Sequence, residues 1–138
     1  MAYRIRKVSY CYIKLAQQAG QGVKVLEALE GAGVNLLALT GFPAGGGKAQ
    51  LDLVPEDMAA VRRVARKHGW KLSTTKRGFL VQGDDQVGVG CRVLKRLADR
   101  KINITAADAV TAGKGRFGML LWVKPKDYSR AARALNAK

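Results

Sequence analysis

Two glycine-bearing segments hold the residues best equipped for chemistry. They are Gln17-Gln18-Ala19-Gly20-Gln21-Gly22 and Asp84-Asp85-Gln86-Val87-Gly88-Val89-Gly90. Each runs into a stretch with helical apolar spacing, so its glycines fall where backbone N–H groups have no intrahelical acceptor. Such groups attract a carboxylate. Gly20, Gly22, Gly88 and Gly90 also let a ligand come close to the main chain. Beyond each helix stands an asparagine, Asn35 or Asn103, whose carbonyl and NH2 suit both ends of a zwitterion. Asp84 and Asp85 could take an ammonium group, whereas Gln17, Gln18 and Gln21 are neutral. On charge, the second segment is the better match for a free amino acid. The same residues have structural readings as well: glycines for tight packing of helix on sheet, asparagines capping a turn, aspartates as solvated charges at a helix start.

The two segments are copies of each other. A shift of 68 residues superposes Gly20 on Gly88, Gly22 on Gly90, Val25 on Val93, Leu29 on Leu97, Asn35 on Asn103, Gly45 on Gly113, Gly47 on Gly115 and Leu53 on Leu121. Repeats of this kind mark one structural unit written twice.

The elements that must position these residues follow. Tyr10 to Leu15 reads as a strand, and Gly22 to Glu30 as a helix with Val25, Ala28, Leu29 and Ala32 inward, stopped by Gly31 and Gly33. Val34 to Thr40 reads as a buried strand, Gly41 to Lys48 as a turn, and Leu51 to Val54 as the return strand. Pro55-Glu56-Asp57 opens a second helix that ends before Gly69, and Trp70 to Thr74 closes the unit as a short strand. The order is βαββαβ, the split βαβ pattern of ferredoxin-like sheets. The second copy has a strand from Gly78 and a helix from about Gly88, with Val89, Val93, Leu94, Leu97 and Ala98 inward. A hairpin from Lys101 to Val123 and a helix opened by Pro125-Lys126-Asp127 follow. It ends one strand short. The 68-residue shift lays Trp70 to Thr75 on Ala2 to Lys7, so the N-terminal strand, Tyr3 to Arg6, is expected to close the second sheet. The expected fold is α+β ferredoxin-like: two tandem βαββαβ units with antiparallel sheets and helices on one face. The expected boundaries are residues 8–75 and 76–138, with residues 2–7 supplying the last strand.

Composition narrows the partners. The chain of 138 residues carries 25 Lys and Arg against 10 Asp and Glu, a net charge of +15. Residues 69–138 hold fifteen of the basic residues and residues 1–68 hold ten. Such a field attracts anions: nucleic acid, acidic metabolites, a membrane surface or an acidic partner. No apolar run is long enough to span a bilayer, and the N-terminus lacks a signal-peptide core. Cys11 and Cys91 lack metal-type spacing and read as reduced core residues of a cytoplasmic protein.

The stretch Gly88 to Ile104, with Val93, Leu97 and Ile102-Asn103-Ile104, resembles the ACT domain family, in which a glycine-bearing loop enters a helix that leads to an I-N-I strand. Gly22 to Leu36 has the same layout, with Gly33-Val34-Asn35-Leu36 close to the usual G-I-N-I. The resemblance covers almost the whole chain as two tandem ACT-like units. It implies a regulatory module that binds a small ligand, mostly an amino acid, at the loop-helix and unit-unit interfaces and alters another protein. The implied ligand residues are Gly20, Gly22, Asn35, Asp84, Asp85, Gly88, Gly90 and Asn103. Exposed sheet edges point to a homodimer.

Other chemistries find no support. Gly45-Gly46-Gly47-Lys48 lacks the register of a phosphate loop, with Phe42 and Ala49 at the required positions. Val81-Gln82-Gly83 resembles the acylphosphatase loop, but Asp84-Asp85-Gln86 stands where that family needs an arginine. His68 is the single histidine, which excludes histidine triads and multi-histidine metal sites. No nucleophile has an evident base. The expectation is therefore a non-catalytic protein with no cofactor and no metal. The alternative is nucleic-acid binding on the same fold. Arg62, Arg63, Arg66, Lys67, Lys71, Lys76 and Arg77 cluster in one stretch and Arg92, Lys95, Arg96, Arg100 and Lys101 line the outward face of the second copy's first helix, while Arg77-Gly78-Phe79-Leu80-Val81 meets only the start of the RNA-recognition signature.

Overall fold

A computed structural model describes residues 3–138. Ala2, part of the segment expected to close the second sheet, lies outside the described residues. In chain order the elements are β1 (Tyr3–Ala16), α1 (Gln21–Gly31), β2 (Leu36–Gly45), β3 (Lys48–Pro55) and α2 (Met58–His68). Then come β4 (Lys76–Asp84), α3 (Val89–Ala98), β5 (Ile104–Gly113), β6 (Arg116–Val123), a 3₁₀ turn at Pro125–Asp127 and α4 (Tyr128–Leu135). The hydrogen-bonded strand order is β2-β3-β1-β4-β6-β5. β1 with β3, β2 with β3, β4 with β6 and β5 with β6 are all antiparallel.

The chain divides into two compact units, Ser9–Lys76 and residues 3–8 with Arg77–Lys138. β1 crosses this boundary as one strand of 14 residues. In the first unit Cys11 and Ile13 of β1 and Leu53 of β3 pack with Val25 and Leu29 of α1 and Val61 and Val64 of α2. In the second, Ile5 joins Phe79, Val81, Phe117, Met119 and Leu121 from the strands. Val89, Val93 and Leu97 of α3 and Tyr128, Ala131 and Leu135 of α4 complete that core. In each unit the two helices cover the same face of the sheet, because apolar residues at helical spacing meet the alternate apolar residues of the strands.

The repeat is written in the backbone. Gly20 and Gly88 have φ of 87° and 82°, Gly45 and Gly113 of 81° and 79°, Gly47 and Gly115 of 73° and 70°. Only glycine takes these left-handed angles without a Cβ penalty, which accounts for glycine at both copies of each position. Lys101 and Lys114 hold positive φ where the first copy has Gly33 and Gly46. The β-bulges repeat as well, between Leu36 and Ala38 and between Ile104 and Ala106. So do loop hydrogen bonds: Gln17 N–H donates to the Gly47 carbonyl at 2.8 Å, and Asp85 N–H to the Gly115 carbonyl at 2.8 Å.

Several elements differ from the expectation. Trp70 to Thr74 is not a strand, and only Leu72 makes a bridge, to Ile13. The Ser73 hydroxyl oxygen accepts the Tyr12 N–H at 2.9 Å, where a strand would present a main-chain carbonyl. The hairpin strands are longer than expected: β2 runs to Gly45, so the expected turn at Gly41 to Lys48 shrinks to Gly46-Gly47. Ala32 and Ala98 are exposed rather than inward. Both sit at the last turn of a helix, where the chain is already leaving the sheet. Cys11 is buried, but Cys91 is exposed, and both are free thiols. At the start of α2, the Asp57 carboxylate accepts the Ala59 and Ala60 N–H groups at 3.0 and 3.4 Å and so caps the helix.

Candidate small-molecule site at the first glycine loop

In the first unit β1 ends at Ala16 and the loop Gln17 to Gly20 delivers the chain to α1. Gly20, at φ 87°, is the N-cap residue and no side chain caps the helix. The first N–H groups of α1 therefore face the loop without a side-chain acceptor. Beside them lies a cavity of about 380 Å³. One wall is the loop and the helix start, Gln17, Gln18, Gln21 and Gly22. The other is apolar: Leu15, Phe42, Pro43 and Leu51 from the three strands. Gln50 also lines it and is held by its own Nε2, which donates to the Asp52 carboxylate at 2.9 Å. No residue lining the cavity is charged. Such a space can hold a small zwitterion, with helix N–H groups for a carboxylate, glutamine carbonyls for an ammonium group and an apolar wall for a side chain.

The corresponding region of the second unit is built otherwise. Asp84 is the last residue of β4 rather than a loop residue, and it pairs with Arg116 of β6 at 2.8 Å. Asp85 is exposed, and its N–H is spent on the Gly115 carbonyl. Gly88 is again the uncapped N-cap residue. The Arg92 guanidinium lies over it, donating to the Val87 carbonyl and the Gln86 side chain at 3.3 Å each. Met119 stands where the first unit has Leu51. Its Cε lies 3.5 Å from where a Cβ on Gly90 would be, whereas a Cβ on Gly22 would meet nothing within 4 Å. The space open beside Gly22 is thus occupied beside Gly90.

The two asparagines are not brought to the glycines of their own units. Each follows the far end of a helix, and α1, with 11 residues, is about 16 Å long. Asn35 Nδ2 donates to the Glu56 carboxylate at 2.8 Å, and the Asn35 main-chain carbonyl accepts the Glu56 N–H at 3.1 Å. It ties the start of β2 to the end of β3, beside a second cavity of about 420 Å³ lined by Glu30, Gly33 and Val34 among others. Asn103 is exposed ahead of β5. Lys124 stands at the position matching Glu56, so Asn103 has no equivalent carboxylate.

The sequence does not show Phe42 and Pro43 as wall residues because Gly41 to Lys48 reads as a turn, nor Gln50 because the return strand reads only from Leu51. Burial pushes the Cys11 thiol and the Tyr10 phenol up, Asp52 adding to both and Arg62 opposing at Cys11. Among the described residues, no three His, Cys, Asp or Glu side chains gather as metal ligands. Nor is any helix among them long and apolar enough to cross a membrane.

No family description matches the sequence, and no curated protein is similar to it in sequence. Solved structures do match. Protein BT0572 from Bacteroides thetaiotaomicron superposes with a TM-score of 0.81 at 15% identity, over 96% of this chain and 88% of that one. The regulatory subunit of aspartate kinase from Thermus thermophilus, in ligand-free form, gives 0.65 at 16% identity, over 98% and 93%. A C-terminal regulatory domain of aspartate kinase from Porphyromonas gingivalis gives 0.57 at 12% identity, over 98% and 94%. At these identities the likeness is one of fold.

Proposed function

We propose, taking the ACT-type fold of the chain as premise, that it is a non-catalytic regulatory protein. It binds a free amino acid, or a molecule of that size and polarity, beside the first glycine loop. The observation that carries this reading is the cavity of about 380 Å³ in which an uncapped helix start faces an apolar wall. The carboxylate sits on the N–H groups of the first turn of α1, the ammonium group on the carbonyls of Gln17, Gln18 or Gln21, and the side chain against Leu15, Phe42 and Leu51. The neutral lining favours an apolar or small polar side chain, because a charged one would be desolvated without a partner. Binding closes the loop on the helix and shifts the population of surfaces the protein presents. Two aspartate kinase regulatory proteins share the fold, which supports a role in regulating another protein.

Self-association belongs to the same proposal. β5 is an edge strand whose residues from Thr105 to Gly113 are all exposed, with Asp108 their single charge and Val110 70% exposed. Such an edge is a template for a second copy. Sedimentation is expected to give a dimer, and Val110→Lys to give a monomer.

The test of the ligand reading is thermal unfolding against the twenty amino acids. A ligand that binds only the folded state raises Tm with its concentration. A rise with one or two amino acids, abolished by Gly22→Leu and kept in Asp85→Ala, is the expected result. No rise with any of them at saturating concentration would remove the amino-acid reading.

A further inference from the structure

We propose that the second unit carries a separate site for a phosphate group, formed by Lys7, Arg77 and Arg133 around a cavity of about 400 Å³. Lys7 comes from β1 and Arg77 from β4, strands that are hydrogen-bonded neighbours. Arg133 comes from α4, on the same helix face as Ser129 four residues before it; Ser129 and Asn136, the left-handed residue that ends the helix, also line the cavity. The lining includes no acidic residue. The ion pairs of the described residues engage Lys95, Arg116 and Arg130 and none of these three cations.

Arg77 is held in place from below. Its guanidinium carbon lies 4.0 Å from the centroid of the Tyr128 ring. That ring is fixed twice: its hydroxyl donates to the Gly78 carbonyl at 2.9 Å, and it stacks on Phe79 with centroids 4.5 Å apart. A guanidinium laid on an aromatic ring keeps its N–H edge free and oriented, so less entropy is lost when it binds. Two such forks, an ammonium, a hydroxyl and a side-chain amide provide donors for every oxygen of a phosphate group. Three unpaired cations at one cavity repel each other until an anion arrives. The same features argue for a multiply charged phosphate over a single carboxylate, since three positive charges need more than one negative charge to balance them.

Arg92, Lys95 and Arg96 of α3 lie outside this cavity, and so do the basic residues of α2. That separation makes the site testable against the general field of the protein. The probe is inorganic pyrophosphate, titrated by calorimetry at low salt into the full chain, with a short single-stranded oligonucleotide as competitor. Pyrophosphate is expected to bind, and Arg133→Glu to weaken it by about tenfold or more. Arg77→Lys, which keeps the charge and loses the fork, is expected to weaken it less than Arg77→Ala. Arg63→Glu, an exposed change on α2 in the other unit, is expected to leave it within about twofold. Circular dichroism of each variant checks that the fold is retained, and the exposed Arg133 makes Arg133→Glu the decisive variant. The proposal is overturned by no pyrophosphate binding, or by equal losses in Arg63→Glu and Arg133→Glu. It is also overturned if the oligonucleotide displaces pyrophosphate and its own binding, steeply salt-dependent, weakens equally in both variants. The basic residues would then form one distributed polyanion face. Amino-acid binding at the first glycine loop can fail without touching any of these outcomes.

Discussion

The two glycine loops share their backbone and differ in what fills them. Gly20 and Gly88 have nearly the same φ, and the hydrogen bonds that close the two loops match in partner and length. Yet the first loop borders an open cavity of neutral lining. The second is braced by the Asp84–Arg116 pair, covered by Arg92 and packed from beneath by Met119. A duplicated backbone thus preserves the opportunity for a site, and side chains decide whether it is used. Of the acidic pair that makes the second loop look the better ligand site, Asp84 spends its carboxylate on Arg116, and Asp85 closes the loop through its main-chain N–H.

The largest expected effects separate the two units. Ile5→Ala removes a side chain that is 4% exposed and should cost about 2–5 kcal/mol. Hydrogen exchange should then speed up mainly in residues 77–138, whereas Ile13→Ala, at a similar cost, should act on residues 9–76. If both variants loosened both units equally, the comparison of units would lose its basis.

Next comes the cavity itself. Gly22→Leu should weaken the amino acid found in the thermal screen by about tenfold or more, roughly 1.4 kcal/mol or greater, and Gly90→Leu should not. Leu51→Met tests the cause. It gives the first unit the residue that fills the second, and should weaken the ligand while changing stability by less than about 1.5 kcal/mol.

A smaller difference is expected at the N-caps. Gly20→Ala and Gly88→Ala both place a Cβ in the left-handed region, costing about 1–2 kcal/mol each by Tm. Gly88→Ala should cost somewhat more, because its Cβ would lie 3.3 Å from Arg92 Nη1.

The smallest effect is in alkali. Burial raises the phenols of Tyr10 and Tyr128 above their ordinary value of 10.0. Below pH 10 both are protonated, folded or unfolded, and their contribution is complete. As pH rises past 10 the unfolded chain releases these protons first, so stability falls until the folded phenols ionise too. Asp52 pushes Tyr10 the same way as burial, whereas Arg77 opposes burial at Tyr128. Tyr10→Phe and Tyr128→Phe should each flatten the alkaline loss, measured as Tm against pH.

Much of this was legible in the sequence, and the failures have physical causes. The repeated glycines, the helix opened by Pro55-Glu56-Asp57 and the inward Val25, Leu29, Val93 and Leu97 follow from local chemistry that packing did not override. From sequence, β1 reads only as Tyr3 to Arg6 and Tyr10 to Leu15. Its buried residues are Ile5, Val8, Cys11 and Ile13, a spacing of three, three and two that matches no strand period. Ile5 belongs to one core and Cys11 and Ile13 to the other, and period-two reading fails between them. The cavity was invisible for a different reason. Leu51 and Met119 are both apolar and of similar volume, so only their placement against Gly22 and Gly90 distinguishes an open space from a filled one.

The continuity of β1 sets a timetable for folding. Residues 3–8 leave the ribosome ahead of everything else described, but the strand they pair with, β4, begins only at Lys76. At about 5–20 residues per second, the wait is several seconds. During that time Ser9–Lys76 can complete its own core, leaving half of a strand extended with nothing beside it. Arg4, Arg6 and Lys7, the residues that break the apolar pattern there, are the kind that keep an unpaired strand from capturing the wrong partner.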